Sequence, residues 1–286
     1  MTQGFAIDLG GTKTAAAVVT NGQVVARLQA PTDGQAGLAQ QLETLAGLLS
    51  QLGFRRGDRL GTAVAGRISA DGNWQAVNAA TLSGIGAEPL LAQLQDRFGP
   101  DVSVRNDAAA AALAEARKGA GAGSAHFAYL TVSTGVGGGI VLNGRLLQSA
   151  NGLAGHLGFM SSPLGTARCG SGRWGTVESV ASGRAIALAA GTPDARAAFA
   201  DTSDRARAAI DRSAAAVARQ IADLTALFGL DRVAIGGGVG LAPGYLLRVQ
   251  SHLTSEPELF RVPVNPASLG QDSALIGALM TEEDIS

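Results

Sequence analysis

Val102-Ser103-Val104-Arg105-Asn106-Asp107-Ala108-Ala109-Ala110-Ala111-Ala112-Leu113 is the stretch that decides the fold of this chain. Val102–Arg105 reads as a short strand. Asp107–Arg117 is rich in alanine, the strongest helix former. Asn and Asp lie at the junction, where side-chain oxygens can accept from the free N–H groups of a first helical turn. By itself, Asn106-Asp107 is a helix cap. What raises it above a cap is the glycine turn on either side.

Upstream, Phe5–Asp8 and Thr14–Val19 read as strands joined by Asp8-Leu9-Gly10-Gly11-Thr12-Lys13. Downstream, Phe127–Val132 leads into Thr131-Val132-Ser133-Thr134-Gly135-Val136-Gly137-Gly138-Gly139, which has four glycines in its last seven residues. A third cluster, Gly236-Gly237-Gly238-Val239-Gly240, follows the buried strand Arg232–Ile235. Glycine lets backbone N–H groups approach phosphate oxygens closely. In the first turn the Thr12 hydroxyl can join those amides, and Asp8 can hold Mg²⁺ through water. The third cluster is equally explained by close helix–strand packing. That cluster has neither the spacing nor the flanks of a Walker A loop or of a dinucleotide fingerprint.

The rest of the chain alternates strands and helices. Gln23–Gln29 is a strand after an Asn21-Gly22 hairpin turn. Leu38–Leu52, Ala87–Phe98, Ser179–Ala190, Ser213–Phe228 and Asp272–Met280 carry helical patterns, and Leu60–Ala65 is a buried strand. Arg205–Arg212 reads as a solvated helix face. Gly119–Ser124 is expected to be flexible and to mark a domain boundary. That places an N-terminal α/β lobe at residues 1–118, joined by a C-terminal helix at 271–286, and a larger α/β lobe at 119–270.

Bulk properties narrow the function classes. The 286 residues are 46% hydrophobic, enough for a sizeable core over two domains. Aromatics are only 4%, so the core must be mostly Ala, Val, Leu and Ile. A net charge of −1 without a basic stripe argues against nucleic acid as a partner. The single Cys169 excludes an internal disulfide. No signal peptide and no spanning segment is visible, so the expectation is a soluble cytoplasmic protein with no membrane partner.

Taken together, AIDLGGTK, RNDAAAAALAE, TVSTGVGGGI, NGLAGHLG, VESVASGR and IGGGVGLAPGYL resemble the ROK family of sugar kinases and repressors, over about Ala6 to Ala278. Within it, TVSTGVGGG followed by GLAGH, VE-x-x-ASGR and GLA-x-GYL resembles the bacterial N-acetylmannosamine kinases of sialic acid breakdown. The resemblance implies the actin-like ATPase (ribonuclease H-like) fold, two α/β lobes with a central cleft, and usually a homodimer. It implies Asp107 as catalytic base, and Asn78, Asn106, Asp107, His156 and Glu178 lining the sugar site. Gly10, Gly11 and Thr12, with Asp8 and Lys13, form the first phosphate loop. Thr134, Gly135, Gly137 and Gly138 form the second, and Gly236, Gly237 and Gly238 lie near the adenosine. ATP and Mg²⁺ are the implied cofactors.

Two departures from the family pattern matter. His156-Leu157-Gly158-Phe159 stands where Glu-x-Gly-His is common, which favours N-acetylmannosamine over glucose. Of the family's zinc cysteines only Cys169 remains, and Phe159 replaces the zinc histidine, so no structural zinc is expected. Packing by Phe159, Trp174 and Val177 is expected to hold residues 158–176 instead. The alternatives are a glucokinase or other ROK hexokinase, and a catalytically weak sugar-binding protein. A repressor is disfavoured, since about seven residues precede Asp8 and leave no room for a DNA-binding segment.

Overall fold

The computed structural model describes residues 3–78 and 81–281. It divides into two compact units, one of residues 1–114, 145–154 and 271–286, the other of residues 115–144 and 155–270.

In the first unit, Lys13–Thr20 pairs antiparallel with both Gln23–Pro31 and Gly4–Leu9. Leu60–Val64 and Val102–Asn106 extend the same sheet in parallel. Register follows from the parallel pairing: Asp8 stands beside Ala63, which stands beside Arg105. The carboxyl ends of three strands therefore finish together, and parallel sheets place their ligands at that edge. Side chains alternate along the first strand. Ile7 and Leu9 enter a core built with Leu42, Leu45 and Leu49 of the helix Leu38–Gln51 and with Leu94 and Phe98 of the helix Leu90–Phe98. Ala6 faces the other way, onto Leu275 and Leu279 at the last helix, Ser273–Ala278. Asp8 shares the side of Ala6.

The second unit repeats the device. His126–Val132 pairs antiparallel with Val136–Leu142 and parallel with Arg232–Gly236, which pairs in turn with Val264–Pro266. Thr131 stands beside Gly236, so the second and third glycine clusters leave the sheet at one edge. The long helix Asp204–Phe228 packs beside Gly183–Ala190 and Tyr245–Leu253. Its Arg205, Arg207 and Arg212 are exposed while Ala206, Ala209 and Ile210 are buried, as a solvated helix face requires.

Several expectations are corrected. The boundary falls inside the helix Asp107–Lys118 rather than in Gly119–Ser124. That glycine stretch is a succession of hydrogen-bonded turns, Ala122 N to Gly119 O and Ser124 N to Gly121 O among them, and not a loose linker. The fully buried Glu115 anchors it by accepting from the backbone N–H groups of Ala120, Ser268 and Leu269. Residues 145–154 belong to the first unit, where Ala70 N donates to Ala150 O and Arg67 to Asn151 O. Ala87–Phe98 is not one helix: Ala87–Glu88 is strand, because Pro89 forces the residue before it out of helical geometry. Ser179–Ala190 breaks at Ser182, whose hydroxyl caps the following helix. The C-terminal helix ends at Ala278, and the expected stretch to residue 286 runs partly outside the described residues.

Candidate active site

Asn106 ends its strand and caps the helix that follows. Its side-chain oxygen accepts from Ala109 N at 2.9 Å. Its amide donates to Gly66 O and to Asp107 Oδ1, both at 2.9 Å. Asp107 Oδ1 also accepts from Ala108 N at 2.8 Å. One carboxylate oxygen is thus fixed by two donors, and Oδ2 carries no hydrogen bond among the described residues. Burial pushes the Asp107 carboxyl up to about 6, against the pull of those donors. A carboxylate held in place, with a free oxygen and a raised pKa, suits general-base work near neutral pH.

Asp8 ends a strand at the same sheet edge, with the strand Leu60–Val64 between it and the strand of Asn106. Burial, and after it the Asp107 carboxylate, raise it to about 7, with Arg27 and Lys13 offsetting part of that. Lys13 itself donates to Gln271 at 3.1 Å. The turn Gly10–Thr12 is closed by Gly10 N donating to Lys13 O at 3.0 Å. Gly11 is required by a close approach: a Cβ there would sit 2.8 Å from the Thr81 side chain. Thr81 bonds back to Asn78 O through both N–H and hydroxyl. The loop of Asn78 is therefore packed on the first glycine turn, a link the sequence pattern did not signal.

In the second unit the turn after Val132 is closed by Ser133 N donating to Gly135 O at 2.9 Å. The interruption of the helix at Ser182 brings Gly183 N to Ser133 O at 2.7 Å. A cavity of about 620 Å³ opens here. Ser133 and Thr134 line it, with Gly183 and Arg184, the apolar Pro193 and Phe199, Gly238 of the third cluster and Leu241 just after it. The two clusters thus share one cavity, while Gly137 and Gly138 lie within the strand Val136–Leu142. Gly237 has φ +85°, and a Cβ there would meet Val132 O at 2.3 Å. Close packing accounts for Gly237, while the adjacent Gly238 lines the cavity. Sequence reasoning missed Arg184, Phe199 and the helix Ala195–Ala200. Asp194, which caps that helix through Ala197 N, was the available signal.

His156 and Glu178 stand in the same unit. The His156 and Phe159 rings stack, with centroids 5.7 Å apart and planes 9° from parallel. Phe159 thus lies on the imidazole and is only half-buried. Glu178 is 7% exposed, and its two oxygens accept from Val136 N and Gly170 N, both at 3.1 Å.

Zinc does not fit the loop between them. Cys169 Sγ lies 3.0 Å from Ser171 Oγ, and no group of three His, Cys, Asp or Glu among the described residues could hold a metal. Trp174, expected to pack, is 61% exposed. Backbone pairing holds the loop instead: Ser162 N to Gly175 O, Gly175 N to Ala167 O, Cys169 N to Arg173 O and Val177 N to Met160 O. Val177 alone of the three apolar candidates is fully buried. Elemental analysis of protein purified without chelator should find well under one zinc per chain. Stoichiometric zinc whose removal unfolds the protein would contradict this.

Three comparisons bear on the site. The family model described as ROK family matches residues 4–284. An N-acetylmannosamine kinase of Yersinia pestis is 42% identical, with 98% of each chain covered. One from Haemophilus influenzae is 37% identical, covering 98% of this chain and 95% of the relative. Among solved structures, a ROK hexokinase from Thermus thermophilus superimposes with a TM-score of 0.82 at 32% identity over 96% of both chains. A ROK glucokinase from Streptomyces griseus in complex with glucose and AMPPNP gives 0.81 at 26% identity, covering 97% of this chain and 98% of that one.

Proposed function

The chain belongs to the ROK family, and from that premise we propose that it phosphorylates the 6-hydroxyl of N-acetyl-D-mannosamine with ATP. One observation carries the reading. Asp107 stands at the carboxyl edge of the parallel strands of a mixed sheet, with one oxygen fixed, the other without a hydrogen bond among the described residues, and a pKa raised to about 6. The names of the relatives at 37–42% identity support the choice of sugar.

Asp107 Oδ2 takes the proton as the 6-oxygen attacks the γ-phosphorus. The new O–P bond forms while the bond from the γ-phosphorus to the β–γ bridging oxygen breaks, and ADP carries that oxygen away. Little covalent chemistry is asked of the protein, so positioning and charge stabilisation do most of the work. Gly10 N closes the first turn on Lys13 O, so the backbone N–H groups left to face the phosphates are those of Gly11 and Thr12 and of Thr134–Gly135, and the cavity beside Gly236–Gly238 would take the adenosine. Asp8 fits Mg²⁺: a buried carboxyl beside a second carboxyl, with its charge only partly offset, is a hard-oxygen site short of positive charge. When bound, the ion would neutralise phosphoryl charge. Asn78, Asn106, His156 and Glu178 bind the sugar, with the Phe159 ring fixing the plane of the His156 imidazole. A homodimer and a cytoplasmic location belong to the same proposal. No helix among the described residues is long and apolar enough to cross a membrane.

The test is an ADP-release assay on N-acetylmannosamine, N-acetylglucosamine, glucose and mannose. N-acetylmannosamine should lead in kcat/KM by about tenfold or more, since the wrong sugar leaves buried polar groups unpaired. If glucose leads by that margin, the chain is a hexokinase of the same chemistry.

Gly238 gives an independent check on the nucleotide site. A Cβ there meets nothing within 4 Å, and the residue lines the cavity. Gly238→Val should raise KM for ATP by roughly tenfold, leaving KM for the sugar unchanged. A variant with wild-type KM for ATP would remove the adenosine from this cavity.

A further inference from the structure

We infer that Gln220 is a positioning residue for the sugar site, holding the loop of His156 in its binding geometry; the inference rests on the sugar-site reading of His156. Gln220 lies on the long helix Asp204–Phe228, buried beside Ala216, Val217, Ile221 and Leu224. It is 2% exposed. Its Nε2 donates to Leu157 O at 2.6 Å and approaches Met160 Sδ at 3.5 Å. A backbone carbonyl only accepts, so the amide nitrogen must face Leu157.

Stability alone does not call for an amide here. Oε1 is buried and carries no hydrogen bond among the described residues, which is unfavourable. Leu157 O also accepts from Met160 N at 3.1 Å, so it would stay paired without Gln220. A leucine or methionine would fill the same space and bury no unpaired oxygen. What the amide adds is a direct tie from a rigid helix to the backbone between His156 and Phe159. That backbone is a single 3-10 turn, Leu157–Phe159, without a side-chain cap, and such turns hold little stability of their own. The ring stack fixes His156 relative to Phe159. Gln220 fixes that pair relative to the helix. A site that recognises hydroxyls must hold its partners within a few tenths of an ångström, so a tie of this kind acts on sugar affinity.

The test compares Gln220→Met and Gln220→Leu with the unmodified protein. Both should melt within about 3 °C of it. Both should raise KM for N-acetylmannosamine by roughly fivefold or more while KM for ATP stays put. Amide hydrogen exchange at residues 157–160, read without sugar, should quicken in both. Unchanged sugar KM together with unchanged exchange overturns the inference. So does a parallel rise in both KM values with a large drop in melting temperature, which is the mark of a merely structural residue. If the unmodified protein prefers another hexose, the substrate reading falls, and the same split measured with that hexose still decides the role of Gln220.

Discussion

Asp107→Asn is expected to lower kcat by about 100-fold or more while leaving the protein at least as stable as before. Asparagine keeps the oxygen that accepts from Ala108 N and the shape of the helix start. It removes the carboxylate oxygen that carries no hydrogen bond among the described residues. The stability half of the expectation follows from sign. The folded-state pKa of Asp107, about 6, lies above its ordinary value of 3.8, so ionisation is disfavoured in the folded state. Its ionised form therefore opposes folding at pH 7, increasingly as pH rises from 3.8 through about 6. Removing the charge removes that opposition. The same numbers predict the acid limb of the rate profile. The base must be unprotonated, so kcat/KM should fall as pH drops through the range from about 7 to about 6 where Asp8 and Asp107 take up protons. Near-normal turnover in Asp107→Asn, or an acid limb at the ordinary carboxylate value, would remove Asp107 from the base role.

Glu178→Ala should be the most damaging change in the second unit. The carboxylate joins the second glycine turn to the loop of Cys169 by accepting from Val136 N and Gly170 N. It sits so close that a Cβ on Gly135 would lie 2.7 Å from Oε2. Truncation leaves two backbone donors without an acceptor at a buried place, a loss of about 3 kcal/mol. In a chain of this size that lowers Tm by roughly 8 °C. With the second glycine turn loosened, kcat/KM should fall by about 100-fold. Glu178→Gln is the sharper control. Its NH₂ group must replace one oxygen, and both oxygens face N–H donors, so the isostere should be nearly as destabilised as the alanine. A Glu178→Gln protein with unchanged melting temperature and activity would show that the bridge does not matter. Each oxygen has a further lone pair, so the same carboxylate can also accept from a sugar hydroxyl.

The alternation of strands and helices, and the three glycine turns after apolar strands, are legible in the sequence because they rest on local rules. Periodicity finds the strands, alanine finds the helix after Asp107, and glycine marks where the backbone must turn or be approached. The misreadings are also local. Ala87–Phe98 carries a helical pattern that Pro89 breaks. The composition of Gly119–Ser124 suggests looseness, where the buried carboxylate of Glu115 supplies order. No spacing rule foretells the other contacts of that carboxylate. Ser268, whose N–H and hydroxyl both donate to it, lies 153 residues further along the chain, and Leu269 lies 154.

What the sequence determined by itself is the set of local devices: a capped alanine helix opening on Asn106-Asp107, glycine turns at strand ends, and a loop stripped of zinc ligands down to Cys169. Each depends on residues close in the chain, whose propensities and backbone freedom act over a few positions. Only the tertiary structure decided what those devices face. Parallel pairing in register brought the strand ends of Asp8 and Asn106-Asp107 to one sheet edge, with Leu60–Val64 between them, and the desolvation that raises both pKa values, and the Asp107 charge that raises Asp8 further, exist only once they share that edge. The Thr81 contact on Gly11, the stack of Phe159 on His156 and the Gln220 tie to Leu157 arise likewise from packing between segments or side chains that the fold brings together. The physical reason is the range of the forces. Backbone preference and capping act between neighbours in sequence, whereas burial, charge repulsion and close packing act between neighbours in space.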